Sequence, residues 1–286
     1  MYNMIQIQKQ NTSEYENYSK TSKTYDQYRN PIGLPFFRKA FSDVAKCMNK
    51  SIKDLHLLDI GCGTGMYLKS FQKEINNITG LEFNKSMLNK AKSNLSNVDI
   101  LEGTILNIPF ADASFDVITT TQVLHHIETG EDNNFSNILL ASKEIFRCLR
   151  PGGCWVVQTQ TPLQHINGFW WSPIIPNAAY KLSKRFPTKE KFKLICKNVG
   201  FKKFESDIPS ETLVKINKYL DIEGPFNENF RNSDSTWSLA EEDELNNGLI
   251  MFRSIINTGL IKQWLQKREE LRTKYGQTIT FIVTKC

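Results

Sequence analysis

Leu57-Leu58-Asp59-Ile60-Gly61-Cys62-Gly63-Thr64-Gly65 is the stretch that decides the fold of this chain. An apolar strand runs directly into glycines at 61, 63 and 65, and a helical pattern opens at Met66. Glycine lets the backbone bend tightly and lets a ligand approach with no Cβ in the way. Such a loop at the carboxyl end of a first strand forms the floor of a nucleotide site. It is not the dinucleotide fingerprint, which needs a glycine where Met66 stands. It is not a phosphate loop either, because no Gly-Lys-Ser/Thr follows.

Outward from this loop the chain alternates strand and helix. Strands are predicted over 55–60, 78–82, 98–101, 115–120 and 155–159, with helices over 66–75, 85–94 and 134–149. Asn84 is placed to cap the second of these helices. Arg150-Pro151-Gly152-Gly153 is expected to stop the third. This order predicts an α/β fold with a mostly parallel sheet and helices on both faces. Upstream, 25–49 reads as helical after the turn at Pro31-Ile32-Gly33, and residues 1–20 read as a loose tail without periodicity. Beyond residue 160 a helix is expected over 188–199, and 202–207 as a sixth strand. Ser238-Leu239-Ala240-Glu241 is a capping-box pattern before a helix with Leu245, Leu249, Phe252 and Ile256 on one face. The β-branched run at 278–283 recruits the C-terminus into the sheet. The expected organisation is one domain over 21–286, with cap elements in 161–187 and 209–275.

Composition excludes several classes. Thirty-six basic and 30 acidic residues are interspersed, giving +6 with no basic block, so no nucleic-acid footprint is read. No apolar run reaches the roughly 18 residues of a membrane span. Six cysteines without a C-x-x-C pair, behind a polar first twenty residues, read as reduced thiols in a cytoplasmic protein, with no metal site.

Glu82 ends the second strand, where a carboxylate can accept both hydroxyls of a ribose. LLDIGCGTG, the acidic residue of GLEFNKSML, IPFADASFDVITTTQVLHHI and LRPGGCWVV together resemble the ordered motifs of class I S-adenosylmethionine-dependent methyltransferases. The likeness covers about 25–160 and is nearest to the UbiE-like, small-molecule branch. It implies a Rossmann-like seven-stranded sheet whose last strand is antiparallel, with a helical cap inserted before that strand. It also implies S-adenosyl-L-methionine as methyl donor. By the resemblance, Asp59, Gly61, Cys62, Gly63 and Gly65 would lie along the donor's methionine part. Glu82 would hold the ribose, and Phe83 and Met87 would sit near the adenine. Thr104 and Ile105 occupy the place where relatives often carry an adenine-binding aspartate. Thr121 and Gln122 would flank the methionine end, and Tyr25, with Tyr18 a further candidate, would close over the site.

Methyl transfer from a sulfonium is a direct displacement, so the protein chiefly positions donor and acceptor in line. A base is needed only if the acceptor must lose a proton. His125, His126 and His165 are the candidates, each with packing or capping as its alternative; Asp112 and Asp116 read as turn and strand residues. The Asn/Asp-Pro-Pro-Tyr/Phe segment of many amine and base methyltransferases is missing after the fourth strand. Trp170, Trp171, Trp237, Phe169 and Phe226 are candidates for an apolar acceptor pocket or for core. Arg231, Arg185 and Lys181 are candidates for an acidic group of the acceptor. A small-molecule methyltransferase is the expected function; a non-catalytic S-adenosylmethionine-binding regulator or an RNA-modifying enzyme are the alternatives, with an NAD-dependent oxidoreductase disfavoured by Met66.

Overall fold

A computed structural model describes residues 25–286; the expected tail over 1–20, and Tyr18 with it, lie outside the described residues. The apolar patterns close into one seven-stranded sheet in the order β3-β2-β1-β4-β5-β7-β6. Its strands are β1 (His56–Ile60), β2 (Asn77–Glu82), β3 (Asp99–Glu102), β4 (Phe115–Thr121), β5 (Leu149–Thr159), β6 (Lys203–Asp207) and β7 (Ile279–Thr284). The first five pair in parallel, and β7 runs antiparallel between β5 and β6. Strand order reverses at β1, between β2 and β4. In open α/β sheets this switch point leaves a crevice at the carboxyl ends of the strands.

Alternation along the strands sends successive side chains to opposite faces. Leu57, Val117, Val156 and Ile282 pack under α1 (Leu34–Cys47), α2 (Met66–Phe71) and α3 (Lys85–Asn94). Leu58, Ile118, Trp155, Val157 and Phe281 pack under α5 (Ser136–Cys148) and α8 (Lys189–Val199). A short α4 (Leu124–Ile127) bridges β4 to α5. Asp116 is wholly buried at the start of β4, where Lys50, Arg150 and the His56 backbone N–H bind its carboxylate. That is a structural role.

Three local expectations differ. The helix after the glycine loop stops at Phe71 and not near 75. The Arg150-Pro151-Gly152-Gly153 stretch lies inside β5, which begins at Leu149 as α5 ends. The capping-box pattern at Ser238 does not cap: Ser238 sits in a 3-10 turn, and α11 (Glu242–Asn257) starts from Glu241 without a side-chain cap. Three acidic residues in its first turn favour that start by meeting the helix dipole.

The segments on either side of α8 and β6 share a third apolar cluster. Phe169, Trp170, Trp171 and Ile174 meet Leu213, Tyr219, Phe230, Trp237 and Phe252 there. The short helices α6 (Pro162–Asn167), α7 (Pro176–Ser183), α9 (Ile216–Tyr219) and α10 (Glu228–Arg231), with α11 and α12 (Ile261–Tyr275), frame this layer. Trp170 Nε1 donates to the Tyr219 carbonyl at 2.7 Å, tying the two segments. No helix among the described residues is long and apolar enough to cross a membrane.

Candidate active site

A cavity of about 350 Å³ lies over the carboxyl ends of β1, β2 and β4, where the sheet order reverses. One half is made by Gly61, Gly63, Glu82, Phe83, Asn84, Met87, Gly103, Thr104 and Ile105. The other is made by His125, His126, Ile127, Gln160, His165, Leu182, Phe186, Leu213, Asp234 and Ser235, with Tyr25, Arg29, Thr121 and Gln122 also in the wall.

The glycine loop owes its shape to backbone conformations that side chains resist. Gly61, Gly63 and Gly65 all have positive φ, at 66°, 58° and 81°. A Cβ on Gly61 would stand 2.5 Å from Val123 Cγ2, whereas one on Gly63 would meet nothing within 4 Å. The Gly63 backbone N–H instead donates to Glu82 Oε2 at 2.8 Å, and Asn84 N–H donates to Glu82 Oε1 at 2.8 Å. Burial raises the Glu82 carboxyl above its ordinary range, and these backbone bonds pull it back. Asp59, behind the loop, accepts from Thr119 Oγ1 at 2.7 Å, while its Oδ2 is buried with no partner among the described residues. Burial pushes its carboxyl up to about 7, with Thr119 opposing and Glu82 adding.

The other half holds three imidazoles, His125 and His165 buried and His126 half-buried. Burial depresses His125 well below the ordinary imidazole value, takes His126 down to about 3 and His165 to about 4, so all three are neutral near pH 7. Asp234 opposes the shift at His165. The His125 ring packs, tilted, 4.0 Å from His126 and 5.0 Å from Phe186, centroid to centroid. His165 Nδ1 lies 2.7 Å from Gln160 Oε1. Arg29 donates through Nε to the Ser233 carbonyl at 2.9 Å and lies 3.6 Å from Asp234. Buried polar groups of this density are costly unless paired, and they concentrate at sites that do chemistry.

Residues 58–157 match the model of a methyltransferase domain. The chain is 27% identical over 222 residues to a demethylmenaquinone methyltransferase of Chlorobaculum tepidum, covering 70% of this chain and 88% of that one. A demethylmenaquinone methyltransferase of Staphylococcus aureus is 31% identical over 152 residues, or 51% of this chain and 59% of that one. A putative methyltransferase from an antibiotic biosynthesis pathway of Anabaena variabilis shares the fold, with a TM-score of 0.65 at 20% identity over 90% of this chain and 99% of that one. Residues 58–157 therefore form a methyltransferase domain, set in a sheet like that of S-adenosylmethionine-dependent methyltransferases.

Of the residues expected at the methyltransferase site, Tyr25, Gly61, Gly63, Glu82, Phe83, Met87, Thr104, Ile105, Thr121, Gln122, His125, His126 and His165 line the one cavity. Asp59, Cys62 and Gly65 stand behind its wall. The Cys62 thiol packs toward Gly80, at the 3.0 Å where a Cβ there would meet it. Gly65 caps α2 with Leu95 against it. Thr104 Oγ1 accepts the Leu106 N–H at 3.2 Å and so shapes its own turn.

The aromatic candidates are placed elsewhere. Trp170 and Trp171 are 1% exposed, Trp237 is 5% exposed, and with Phe169 and Phe226 they belong to the apolar cap cluster and do not line the cavity. Arg231 donates to the Pro225 carbonyl and, like Lys181 and Arg185, lies outside the lining. Sequence reasoning missed Arg29, Gln160, Leu182, Phe186, Leu213, Asp234 and Ser235. Gln160 was findable, one residue past the carboxyl end of β5. Asp234 and Ser235 come from an aperiodic stretch that carries no such signal.

Proposed function

We propose that the cavity holds S-adenosyl-L-methionine in its Glu82 half and a small-molecule acceptor in its histidine half. The observation that carries this reading is the continuity of the two halves in one cavity at the sheet's switch point. The bound donor supplies a methyl group already activated on a sulfonium. This chain's residues have only to bind, align and dry the reactants.

The residues fit that ligand. Glu82 spends one lone pair of each oxygen on a backbone N–H and keeps others for a ribose diol. At Gly63 the space a Cβ would take is open, so a ligand can lie against the loop. Phe83 and Met87 offer apolar surface beside it for a base. Gln122 Nε2, buried without a partner among the described residues, suits the methionine carboxylate. Tyr25 closes over this half from the N-terminal segment. Asp26 latches that segment to the loop, accepting from Thr64 Oγ1 at 2.5 Å and from Asn94 Nδ2 at 3.1 Å.

In the acceptor half, Ile127, Leu182, Phe186 and Leu213 form an apolar wall beside three neutral imidazoles. That wall favours an acceptor with a flat apolar body and a transferable proton. The name shared by the curated relatives makes demethylmenaquinone the first compound to try. The test is isothermal titration with S-adenosylmethionine, S-adenosylhomocysteine and NAD, followed by product analysis with demethylmenaquinone and simple phenols. Binding of both sulfur nucleosides with none for NAD, and a methylated product, are expected. A folded chain that binds neither sulfur nucleoside would overturn the reading; binding without transfer to any acceptor would favour a regulatory role.

A further inference from the structure

We infer that the basic face built from residues 181–203 docks the protein on an anionic phospholipid surface, with the histidine half of the cavity directly behind it. The docking rests on charge and exposure alone. That it serves entry of an apolar acceptor rests on the reading that the histidine half receives one.

Both signs of charge are mixed along the chain as a whole, but not in this segment. Nine of the 36 basic residues and one of the 30 acidic ones, Glu190, fall in 181–203. The rest of the chain holds 27 basic against 29 acidic residues. The whole positive surplus therefore sits at the end of α7, along α8 and at the start of β6.

Folding puts these cations outside. Lys181 and Lys184 are exposed around the end of α7, and Lys202 and Lys203 where β6 begins. Between them Lys189, Lys193 and Lys197 recur every four residues and form one exposed stripe along α8. The other side of α8 packs Phe192, Ile195 and Cys196 into the core. None of these seven lysines forms an ion pair among the described residues. Asp132 comes close, in the loop whose Gly130 touches Lys184, but the backbone N–H groups of Asn134 and Ser136 engage its carboxylate.

The apolar content of the face selects the anion. Tyr180 and Leu194 are 58% and 51% exposed among the lysines. Leu182 and Phe186, from the same stretch, turn inward and line the cavity. One short segment thus shows cations outward and an apolar wall inward. A lipid surface meets both exposed features, taking the ammonium groups at its headgroups and the tyrosine and leucine at the acyl boundary. This is contact with a surface and needs no spanning helix. Single-stranded RNA asks for open aromatic faces to stack on. Here Phe186, Phe192 and Phe201 are buried, and Lys184 Nζ already covers one face of Tyr180 at 4.6 Å from the ring centroid.

The experiment is cosedimentation of the full chain with vesicles of phosphatidylglycerol and phosphatidylcholine in equal parts, and with vesicles of phosphatidylcholine alone. S-adenosylhomocysteine is titrated into the same samples by calorimetry. Binding to the anionic vesicles and not to the neutral ones is expected. Salt should release it, as the Debye length shrinks from about 10 Å at 0.1 M to about 3 Å at 1 M. The triple variant Lys189→Gln, Lys193→Gln, Lys197→Gln should bind the anionic vesicles about 100-fold more weakly while keeping its affinity for the nucleoside. Lys46→Gln, Lys73→Gln, Lys92→Gln makes the same change of net charge at exposed sites elsewhere and should stay close to the wild type. Equal losses in the two triple variants would reduce the effect to net charge and overturn the inference. So would a wild type that ignores anionic vesicles, binds neutral ones equally, or prefers single-stranded RNA to both. Vesicle binding without affinity for the nucleoside would uphold the docking and refute the donor site; the converse would refute only the docking.

Discussion

Glu82 Oε2 accepts the backbone N–H of Gly63 at 2.8 Å, so the carboxylate that ends β2 is fastened to the loop that ends β1. The bond crosses the sheet between the neighbouring strands β1 and β2 and sets the floor of the cavity. It also holds Glu82 in one rotamer before any ligand arrives, which lowers the entropy cost of binding.

Glu82→Ala should weaken S-adenosylhomocysteine binding by about 10- to 100-fold, the equivalent of hydrogen bonds to a charged group worth roughly 1.5–3 kcal/mol. Titration calorimetry reads this directly, with circular dichroism to show that the variant is folded. Unchanged affinity would remove Glu82 from the ligand.

Alanine at Gly61 and at Gly63 should separate folding from binding. Both positions have positive φ, costing roughly 1–3 kcal/mol for a residue with a side chain. Only at Gly61 does the new Cβ also strike Val123, at 2.5 Å. Urea denaturation should therefore show Gly61→Ala as the less stable variant, partly relieved by adding Val123→Ala. Gly63→Ala should fold but lose affinity for the sulfur nucleoside, because its Cβ enters the cavity. Equal stabilities for the two variants would contradict the contact.

Asp59 should leave a signature in the pH dependence of stability. Its carboxyl rises from 3.8 to about 7 on folding, first by burial. The unfolded chain ionises at the lower value while the folded one stays protonated. The contribution of Asp59 is thus fully present below its unfolded pKa and is lost as pH climbs through about 7. Asp59→Asn cannot titrate, so the wild type should lose stability relative to the variant between about pH 4 and pH 7. Glu82 and Glu128, both also raised, remain in both proteins and largely cancel. Urea midpoints at several pH values check this, and a flat difference would refute it.

Trp170→Ala should cost about 3–5 kcal/mol of stability, the usual penalty for emptying a buried aromatic site. The indole is 1% exposed, donates to the Tyr219 carbonyl, meets Trp171 edge to face and packs against Phe252. Affinity of the folded fraction for S-adenosylhomocysteine should hold, since Trp170 does not line the cavity. Lost affinity with unchanged stability would reverse its assignment from core to ligand contact.

The Glu82 half of the site was legible because strand ends and turns write themselves locally. Asp59-Ile60-Gly61 announces a strand running into a tight turn, and Glu82 stands at the next strand's carboxyl end. The cap was legible as apolar, yet its role was not. Trp170 and Trp237 would look the same in sequence whether they lined a pocket or filled a core. Only the packing of 169–178 against 213–237 shows that these aromatics cover one another. The Ser238 pattern shows the same limit: a capping box describes four residues, and the 3-10 turn there is held within the cap layer.

What the sequence by itself determined is the sheet, its switch point and the glycine loop, since strand periodicity, helix stops and positive-φ glycines act over a few residues. What only the tertiary structure decided is the histidine half of the cavity. Arg29, Gln160, His165 and Asp234 are separated by up to 205 positions and reach one cavity wall through the sheet and cap. Burial then sets the charge state of His165. Desolvation depends on everything packed around a group, so no neighbouring residue in the chain records it.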